Sequence, residues 1–183
     1  MPESLGGPTG ARSSSRLARP VVTGLLAWLT MLGVDLFLHA GVLAPLYDWD
    51  DPFLLRPEQA FQRIPAGWGA FLALAVALVW SLPRLGVRRG RDGALVAAAG
   101  GAFVWGALLI GVWSISTADP TLLAGWWLGQ TAELALGGYV VGAALAGVRI
   151  RMLVLLAAVV IVIGATTAVV LQSIGYAPVP VIN

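Results

Sequence analysis

The sequence predicts an all-α fold: a polytopic membrane bundle of five transmembrane helices, with the amino terminus inside the cell and the carboxyl terminus outside. Composition is the first observation, because 58% of residues are hydrophobic and only 11% are charged, with a mean hydropathy of +0.87. A typical soluble domain carries about 25% charged residues. The other two observations are five long apolar runs and arginines that cluster in alternate breaks between them.

Each of the five apolar runs is a candidate transmembrane helix, since a membrane-spanning helix needs about 20 mostly apolar residues. The runs cover residues 20–45, 67–82, 93–117, 121–148 and 152–174. Prolines mark the breaks, among them Pro83 before the third run and Pro120 before the fourth. The first run is longer than the 7–15 apolar residues of a signal peptide, so we interpret it as a retained span.

The spans predict a division of the chain into three parts. Residues 1–19 are rich in Gly, Ser, Pro and Arg, a composition that cannot bury a core, and we expect a disordered cytoplasmic tail there. Residues 20–148 form a four-helix transmembrane core, and residues 149–183 form the fifth helix and a short exterior tail.

The arginines predict the orientation, because loops on the cytoplasmic side of a membrane carry an excess of basic residues. All eleven basic residues are arginines, and nine of them fall on one side: Arg12, Arg16, Arg19, Arg84, Arg88, Arg89, Arg91, Arg149 and Arg151. The other side has only Arg56 and Arg63. The exterior loop, residues 46–66, contains Phe53 and Phe61 and is predicted to be either a short amphipathic segment at the interface or a proline-stiffened connector.

Small residues at every fourth position predict which spans pack closely. The fourth span has Gly125-x3-Gly129 and Gly138-x3-Gly142-x3-Ala146, and the third has Ala98-x3-Ala102-x3-Gly106. The fifth span is mostly aliphatic and β-branched before Gly164. We therefore expect spans one, three and four to form the core, with span five as an appendage.

Polar residues inside two spans are the candidate functional residues, because an ionisable group in lipid costs about 2.5–3.5 kcal/mol and must face protein or water. Asp35 and His39 lie one helical turn apart in span one, and Gln130 and Glu133 share a face of span four. At about 1.5 Å per residue, both pairs lie at a similar depth. We predict that these four residues form one ligand- or proton-binding cluster.

Aromatic residues near the predicted outer interface complete the site prediction. Trp113, Ser114, Trp126 and Trp127 are the rim candidates of the cluster. The three tryptophans also fit an interfacial aromatic belt, which needs no ligand. The deeper Trp105 is interpreted as a packing residue.

Three interpretations of the polar residues remain open: hydrogen bonds between helices without any chemistry, a polar-ligand or proton site, and a metal site. The sequence offers one imidazole and no thiolate, which are too few nitrogen and sulfur ligands for a usual zinc or copper site, so we predict no metal and no cofactor. No catalytic motif is present, so no catalytic residue is predicted and an enzyme is not favoured. The favoured function is an accessory, structural or assembly protein, and the alternative is a transporter-like protein or one that binds a small ligand or cation at this cluster.

The expected partners follow from the same features. They are the lipid bilayer and either a second copy of the chain or another membrane protein. The pI near 9.7 does not indicate nucleic acid, because the arginines lie in short clusters between apolar runs.

The pattern D-x3-H-A-G-V-L-x3-Y from Asp35 to Tyr47, the L-R-P-E at residues 55–58 and the W-x3-Q-x2-E of span four resemble a known group. It consists of small four-helix integral proteins of the bacterial inner membrane, whose function is unknown. The likeness covers roughly residues 30–147 and implies a membrane bundle in the bacterial cytoplasmic membrane. This chain departs from the group at Leu36, Ala40 and Leu55 and in its fifth span.

Overall fold

The computed structural model describes residues 11–47 and 52–177, and within these ranges every regular element is helical. The α-helices are α1 (Ala11–Phe37), α2 (Pro57–Arg84), α3 (Gly90–Ile115), α4 (Pro120–Leu145) and α5 (Ile150–Ser173). A π-helical turn, Leu38–Val42, and a 3-10 turn, Ala44–Leu46, continue α1. The prediction of an all-α helical bundle is confirmed.

Helices that follow one another in the chain run antiparallel, so the connections between them alternate between two ends of the bundle, whereas α5 packs parallel to α1. We call the end with the α2–α3 and α4–α5 turns the arginine end and the opposite end the Tyr47 end. At the arginine end, the Arg19 guanidinium donates a hydrogen bond of 3.1 Å to the carbonyl of Ala144. This bond ties the first part of α1 to the last turn of α4, where a cation also meets the negative end of the helix dipole.

Helix α4 is the centre of the bundle, with α3, α1 and α2 packed around it. Its contact with α3 is made by backbone against backbone, because a methyl group added at Gly138 would collide with Gly93 and one at Gly142 with Arg89. The close-packing stripe of α3 is therefore Gly93, Ala97 and Gly101. It lies one residue before the predicted stripe at positions 98, 102 and 106.

Four of the five helices are long and apolar enough to cross a membrane: residues 18–42 in α1 and its π turn, most of α2, and the whole of α3 and α5. Helix α4 is not among them, although it has the largest set of buried residues. Its central position explains the difference, since a helix covered by protein can carry Gln130, Glu133 and many glycines at little cost. The count of five spans therefore stays a prediction.

Helix α5 packs along α1, and its contact with α4 is slight. The contact with α1 is close: a methyl group on Gly33 would lie 2.8 Å from the backbone nitrogen of Ile161, and one on Gly164 would collide with the Gly33 carbonyl. Most large side chains on the rest of α5 are exposed. Helix α5 is thus peripheral in having one main neighbour, but it docks as tightly as any core helix.

Helix α2 departs most from the sequence expectations. It begins at Pro57, so residues 57–66 of the predicted exterior loop are helical and include Phe61, whereas Phe53 lies before the helix. Its 28 residues extend about 42 Å, more than the roughly 30 Å of a hydrocarbon core. It also supplies Phe71, Ala75, Leu78 and Leu82 to the main apolar core. The prediction of a core made by spans one, three and four is wrong in leaving out α2. Helix α3 also makes almost no contact with α1 within the described chain.

The starts of α1 and α4 differ: α1 begins within the predicted tail, whereas α4 begins at a side-chain cap. Helix α1 begins at Ala11, within the segment assigned to a disordered tail, and residues 1–10 lie outside the described residues. Helix α4 begins after Asp119, whose Oδ1 accepts hydrogen bonds from the backbone N–H of Thr121 (2.7 Å) and Leu122 (3.2 Å). The bonds from Leu122 and Thr121 lower the pKa of the Asp119 carboxyl, so this cap stays ionised near neutral pH.

The α1–α5 contact predicts an asymmetric response to alanine. Gly33→Ala should lower the free energy of unfolding by about 1–3 kcal/mol, because the methyl group meets fixed backbone of α5. Gly100→Ala, where nothing lies within 4 Å, is the control and should be neutral or stabilising by up to about 1 kcal/mol. Thermal unfolding of the full chain in detergent measures both. Equal effects of the two variants would contradict the close contact.

Candidate functional site

Helices α1 and α4 meet at three ionisable side chains, Asp35, His39 and Glu133, which we call the polar cluster. His39 Nε2 lies 3.3 Å from Glu133 Oε1. One side-chain ligand atom from each of the three residues lies within 4.8 Å of the other two. The structure thus brings together residues that are far apart in the sequence, and their binding role stays a prediction.

His39 occupies an irregular part of the backbone. It lies in the π-helical turn Leu38–Val42, where the Leu43 N–H donates to the Leu38 carbonyl at 2.6 Å, five residues back. Such a turn inserts one extra residue into an α-helix and occurs frequently at functional sites. The irregularity therefore coincides with the residue that reaches from α1 to the Glu133 carboxyl.

Gly129 makes room for the imidazole. A methyl group at this position would lie 2.6 Å from His39 Nε2, too close for any side chain without movement of the ring. Gly125, one turn earlier on the same face of α4, makes similar room for Leu46. The predicted Gly125-x3-Gly129 face therefore does pack closely, and it leads in the same register to Glu133.

Tyr47 and Trp126 hold the other side of the imidazole. Trp126 Nε1 donates a 2.9 Å hydrogen bond to the Tyr47 hydroxyl oxygen, which lies 2.6 Å from His39 Nδ1. Burial raises the pKa of the Tyr47 phenol, so the group keeps its proton. Whichever of the two groups donates in the Tyr47–His39 bond, Nδ1 is engaged and Nε2 is left to face the carboxylates.

Glu133 is completely buried, with 0% of its surface exposed. Neither carboxylate oxygen has an assigned hydrogen-bond partner among the described protein groups, and the nearest polar contact is His39 Nε2, 3.3 Å from Oε1. Burying an ionised carboxylate without partners costs several kcal/mol. The packing of the helices alone therefore does not offset the cost of burying an ionised Glu133 carboxylate.

A cavity of about 320 Å³ adjoins the polar cluster. It lies among α1, α3 and α4 and is lined by Asp35, His39, Tyr47, Trp105, Trp126 and Gln130. Gln130, the fourth predicted site residue, thus faces the same space as Asp35 and His39. Glu133 is not part of the lining and meets it through His39.

The four predicted rim residues lie in different surroundings. Of its four members only Trp126 lines the cavity at the polar cluster. Trp127 donates to the Ala102 carbonyl at 2.9 Å and lines, with Trp113, a separate apolar cavity of about 380 Å³ between α3 and α4. Ser114 bonds the Gly111 carbonyl of its own helix at 2.7 Å. The helical angle of these residues, rather than their depth, directs them away.

Two residues at the site did not appear among the sequence candidates. Tyr47 follows the first apolar run, where a tyrosine is expected at an interface, and only its recurrence in the D-x3-H…Y pattern could have indicated a role. Trp105 of α3 was interpreted as a packing residue, and no spacing rule connects it to Asp35. Both positions depend on how α1, α3 and α4 are arranged in space.

The polar cluster predicts energetic coupling between α1 and α4. Replacing Asp35 by Asn and Glu133 by Gln, singly and together, should give changes in unfolding free energy that differ from additivity by about 0.5–3 kcal/mol, because the groups are in close proximity. Thermal unfolding in detergent measures the cycle. Asp92→Asn, at the exposed start of α3, is the control and should combine additively with Glu133→Gln. Additivity for Asp35 as well would separate the two carboxylates.

No protein-family model, curated protein or solved structure matches this chain. The likeness to small four-helix inner-membrane proteins therefore stays a prediction from the sequence pattern around Asp35, Tyr47 and Glu133. What can be concluded about function follows from the chemistry of the polar cluster and its cavity, together with the apolar helices that surround them.

Proposed function

We propose that this chain is a multi-pass protein of the bacterial cytoplasmic membrane that binds a small cation at the polar cluster. Four helices long and apolar enough to cross a membrane support the membrane location. Helix α4, the remaining helix, would cross the membrane with these four, since it packs along α1 and α3. The polar cluster would then lie within the bilayer, on the side of the bundle nearer Tyr47.

The distribution of charge supports an orientation with the arginine end in the cytoplasm. Arg84, Arg88, Arg89 and Arg91 lie at or near the α2–α3 turn, and Arg149 and Arg151 flank the start of α5. Basic residues close to the ends of spans are retained on the cytoplasmic side. The Tyr47 end, with the cavity near it, would face the exterior.

Reporter fusions test the topology of the whole chain. A reporter joined at Gly90 should lie in the cytoplasm, and one joined after Asn183 should lie outside the cell. The reason is that three proposed spans, an odd number, separate the two positions. An alkaline phosphatase and a fluorescent protein at each site give opposite readouts. The same side for both positions would contradict five spans.

The observation that carries the cation proposal is the state of Glu133. Its carboxylate is fully buried without hydrogen-bond donors from the described protein, and a second carboxylate, Asp35, lies close by. Hydrogen bonding between helices would satisfy such oxygens, and here it does not. A cation placed among Asp35, His39 and Glu133 would offset the charge that the fold concentrates there.

An accessory or assembly role is the second candidate, and α3 supplies the observation for it. This helix packs almost only on α4, which leaves Phe103, Ile110 and Ile115 exposed and Gly100 and Gly111 with nothing within 4 Å. A partner helix, from a second copy or another membrane protein, could approach closely along such small residues. Stable co-purification of one partner, lost on replacing Gly100 by Leu, would favour this role.

Ligand-dependent stabilisation tests the cation proposal. The purified full chain, in detergent, should melt at a higher temperature with at least one of Na⁺, K⁺, Ca²⁺, Zn²⁺ or methylammonium. Binding only to the folded state adds about 2.7 kcal/mol at a hundredfold excess over the dissociation constant. Glu133→Gln should abolish the rise, because it removes the buried charge while keeping the side chain's shape.

Glu58→Gln is the matched control, since Glu58 lies in the first turn of α2, away from the cluster, and should leave the stabilisation unchanged. If no cation raises the melting temperature of the wild type, or if Glu133→Gln responds as the wild type does, the cation proposal is contradicted. The assembly role would then be the remaining candidate.

A further inference from the structure

We propose that the cation is a divalent first-row transition metal ion, bound by a carboxylate oxygen of Asp35, Nε2 of His39 and a carboxylate oxygen of Glu133. The inference rests on the proposed cation site and names its ligand class. It departs from the sequence analysis, which predicted no metal because one imidazole without a thiolate is a thin set. The structure adds three things to that set: proximity, an oriented imidazole and a matching charge.

Proximity is the first step. Metal–oxygen and metal–nitrogen bonds of about 2.0–2.2 Å place two ligand atoms of one ion roughly 3–3.5 Å apart. His39 Nε2 and Glu133 Oε1, at 3.3 Å, already have this separation. The three ligand atoms lie within 4.8 Å of one another, so one ion would bind all three once the Asp35 carboxylate moves closer to the other two.

The orientation of the imidazole is the second step. A metal-bound histidine almost always has its other ring nitrogen held by an oxygen, which fixes the tautomer and the ring plane. Here the Tyr47 hydroxyl oxygen lies 2.6 Å from His39 Nδ1, and Trp126 Nε1 donates to that same oxygen. Nε2 has no hydrogen-bond partner among the described groups and faces Glu133. The residues behind the imidazole thus form the support that a metal ligand requires.

Charge is the third step. Two ionised carboxylates and a neutral imidazole carry two negative charges, and a divalent ion neutralises both. A monovalent ion would leave one negative charge in a region of low dielectric, where an uncompensated charge is costly. Within the described chain, His39 is the basic side chain that acts on Asp35 and Glu133, and no arginine does so. The charge balance therefore favours a divalent ion over Na⁺ or K⁺.

The donor types select among divalent ions. One imidazole nitrogen with two carboxylates suits Zn²⁺, Mn²⁺, Fe²⁺ or Co²⁺, whereas Mg²⁺ and Ca²⁺ prefer oxygen ligands alone. The chain has no cysteine, so soft thiolate sites are absent from the whole sequence. The adjacent cavity of about 320 Å³ leaves space for water or a small ligand in the remaining coordination positions, beside Gln130.

Metal titration of the full chain tests the proposal. Protein purified in detergent is treated with a chelator, exchanged into chelator-free buffer and titrated with Co²⁺, whose visible absorption reports a nitrogen- and oxygen-coordinated ion, and then with Zn²⁺, which should displace it. One ion per chain is expected. His39→Gln and Glu133→Gln should each weaken binding by at least about tenfold, and Tyr47→Phe by about 10–100-fold through loss of imidazole support.

Two controls separate ligation from folding. Asp92→Asn, at the arginine end of α3, removes a carboxylate outside the cluster and should bind Co²⁺ as the wild type does. Gly129→Ala keeps every ligand but places a methyl group 2.6 Å from Nε2, so it should weaken binding, while Gly111→Ala, where nothing lies within 4 Å of the added methyl group, should not. This glycine pair gives a readout even if the ligand variants fail to fold.

The outcomes distinguish this inference from the cation site on which it rests. Absence of Co²⁺ and Zn²⁺ binding, together with stabilisation by Na⁺, K⁺, Ca²⁺ or methylammonium that Glu133→Gln abolishes, would overturn the transition-metal proposal and leave the cation site in place. Metal binding unchanged in both Glu133→Gln and Gly129→Ala would place the ion elsewhere and overturn it too. No stabilisation by any cation would overturn both proposals.

Discussion

The approach of His39 to Glu133 across the α1–α4 contact is the constraint on which the rest of the site depends. The approach is possible because Gly129 has no side chain, and a methyl group there would lie 2.6 Å from Nε2. It also requires the π-helical turn Leu38–Val42, which alters the path of α1 at His39. Two backbone features, one on each helix, thus bring an imidazole against a carboxylate that has no other described partner.

The position of α4 links this contact to the whole bundle. A helix with Gln130 and Glu133 in its middle would be costly against lipid, and α4 alone falls short of the hydropathy expected of a spanning helix. The bundle resolves the conflict by covering α4 with α1, α2 and α3. Gly138 and Gly142 bring the backbones of α3 and α4 close, and Gly125 and Gly129 make room for the side chains of Leu46 and His39. The more apolar α5 is left outside, where it packs on α1.

The sequence predicted the parts of this structure that follow from local composition. Apolar runs located the five helices within a few residues, except for the starts of α1 and α2: α1 begins at Ala11, and Pro57 begins a helix that the following Pro65 does not interrupt. Depth along the spans correctly placed Asp35, His39 and Glu133 at one level. Rotation about the helix axes could not be read from spacing, so the α3 stripe was displaced by one residue, and the rim candidates Trp113 and Trp127 line another cavity.

A count of donors and acceptors separates a binding site from simple adhesion between helices. Ionised carboxylates only accept hydrogen bonds, whereas an amide both donates and accepts. Gln130, at the same level of α4, would serve adhesion without any charge. Instead, two carboxylates face one imidazole, and the Tyr47 hydroxyl already engages one of its two nitrogens. At most one N–H of the imidazole therefore remains for the four carboxylate oxygens of Asp35 and Glu133. The excess of acceptors is unfavourable for a packing contact and suited to a site that a cation completes.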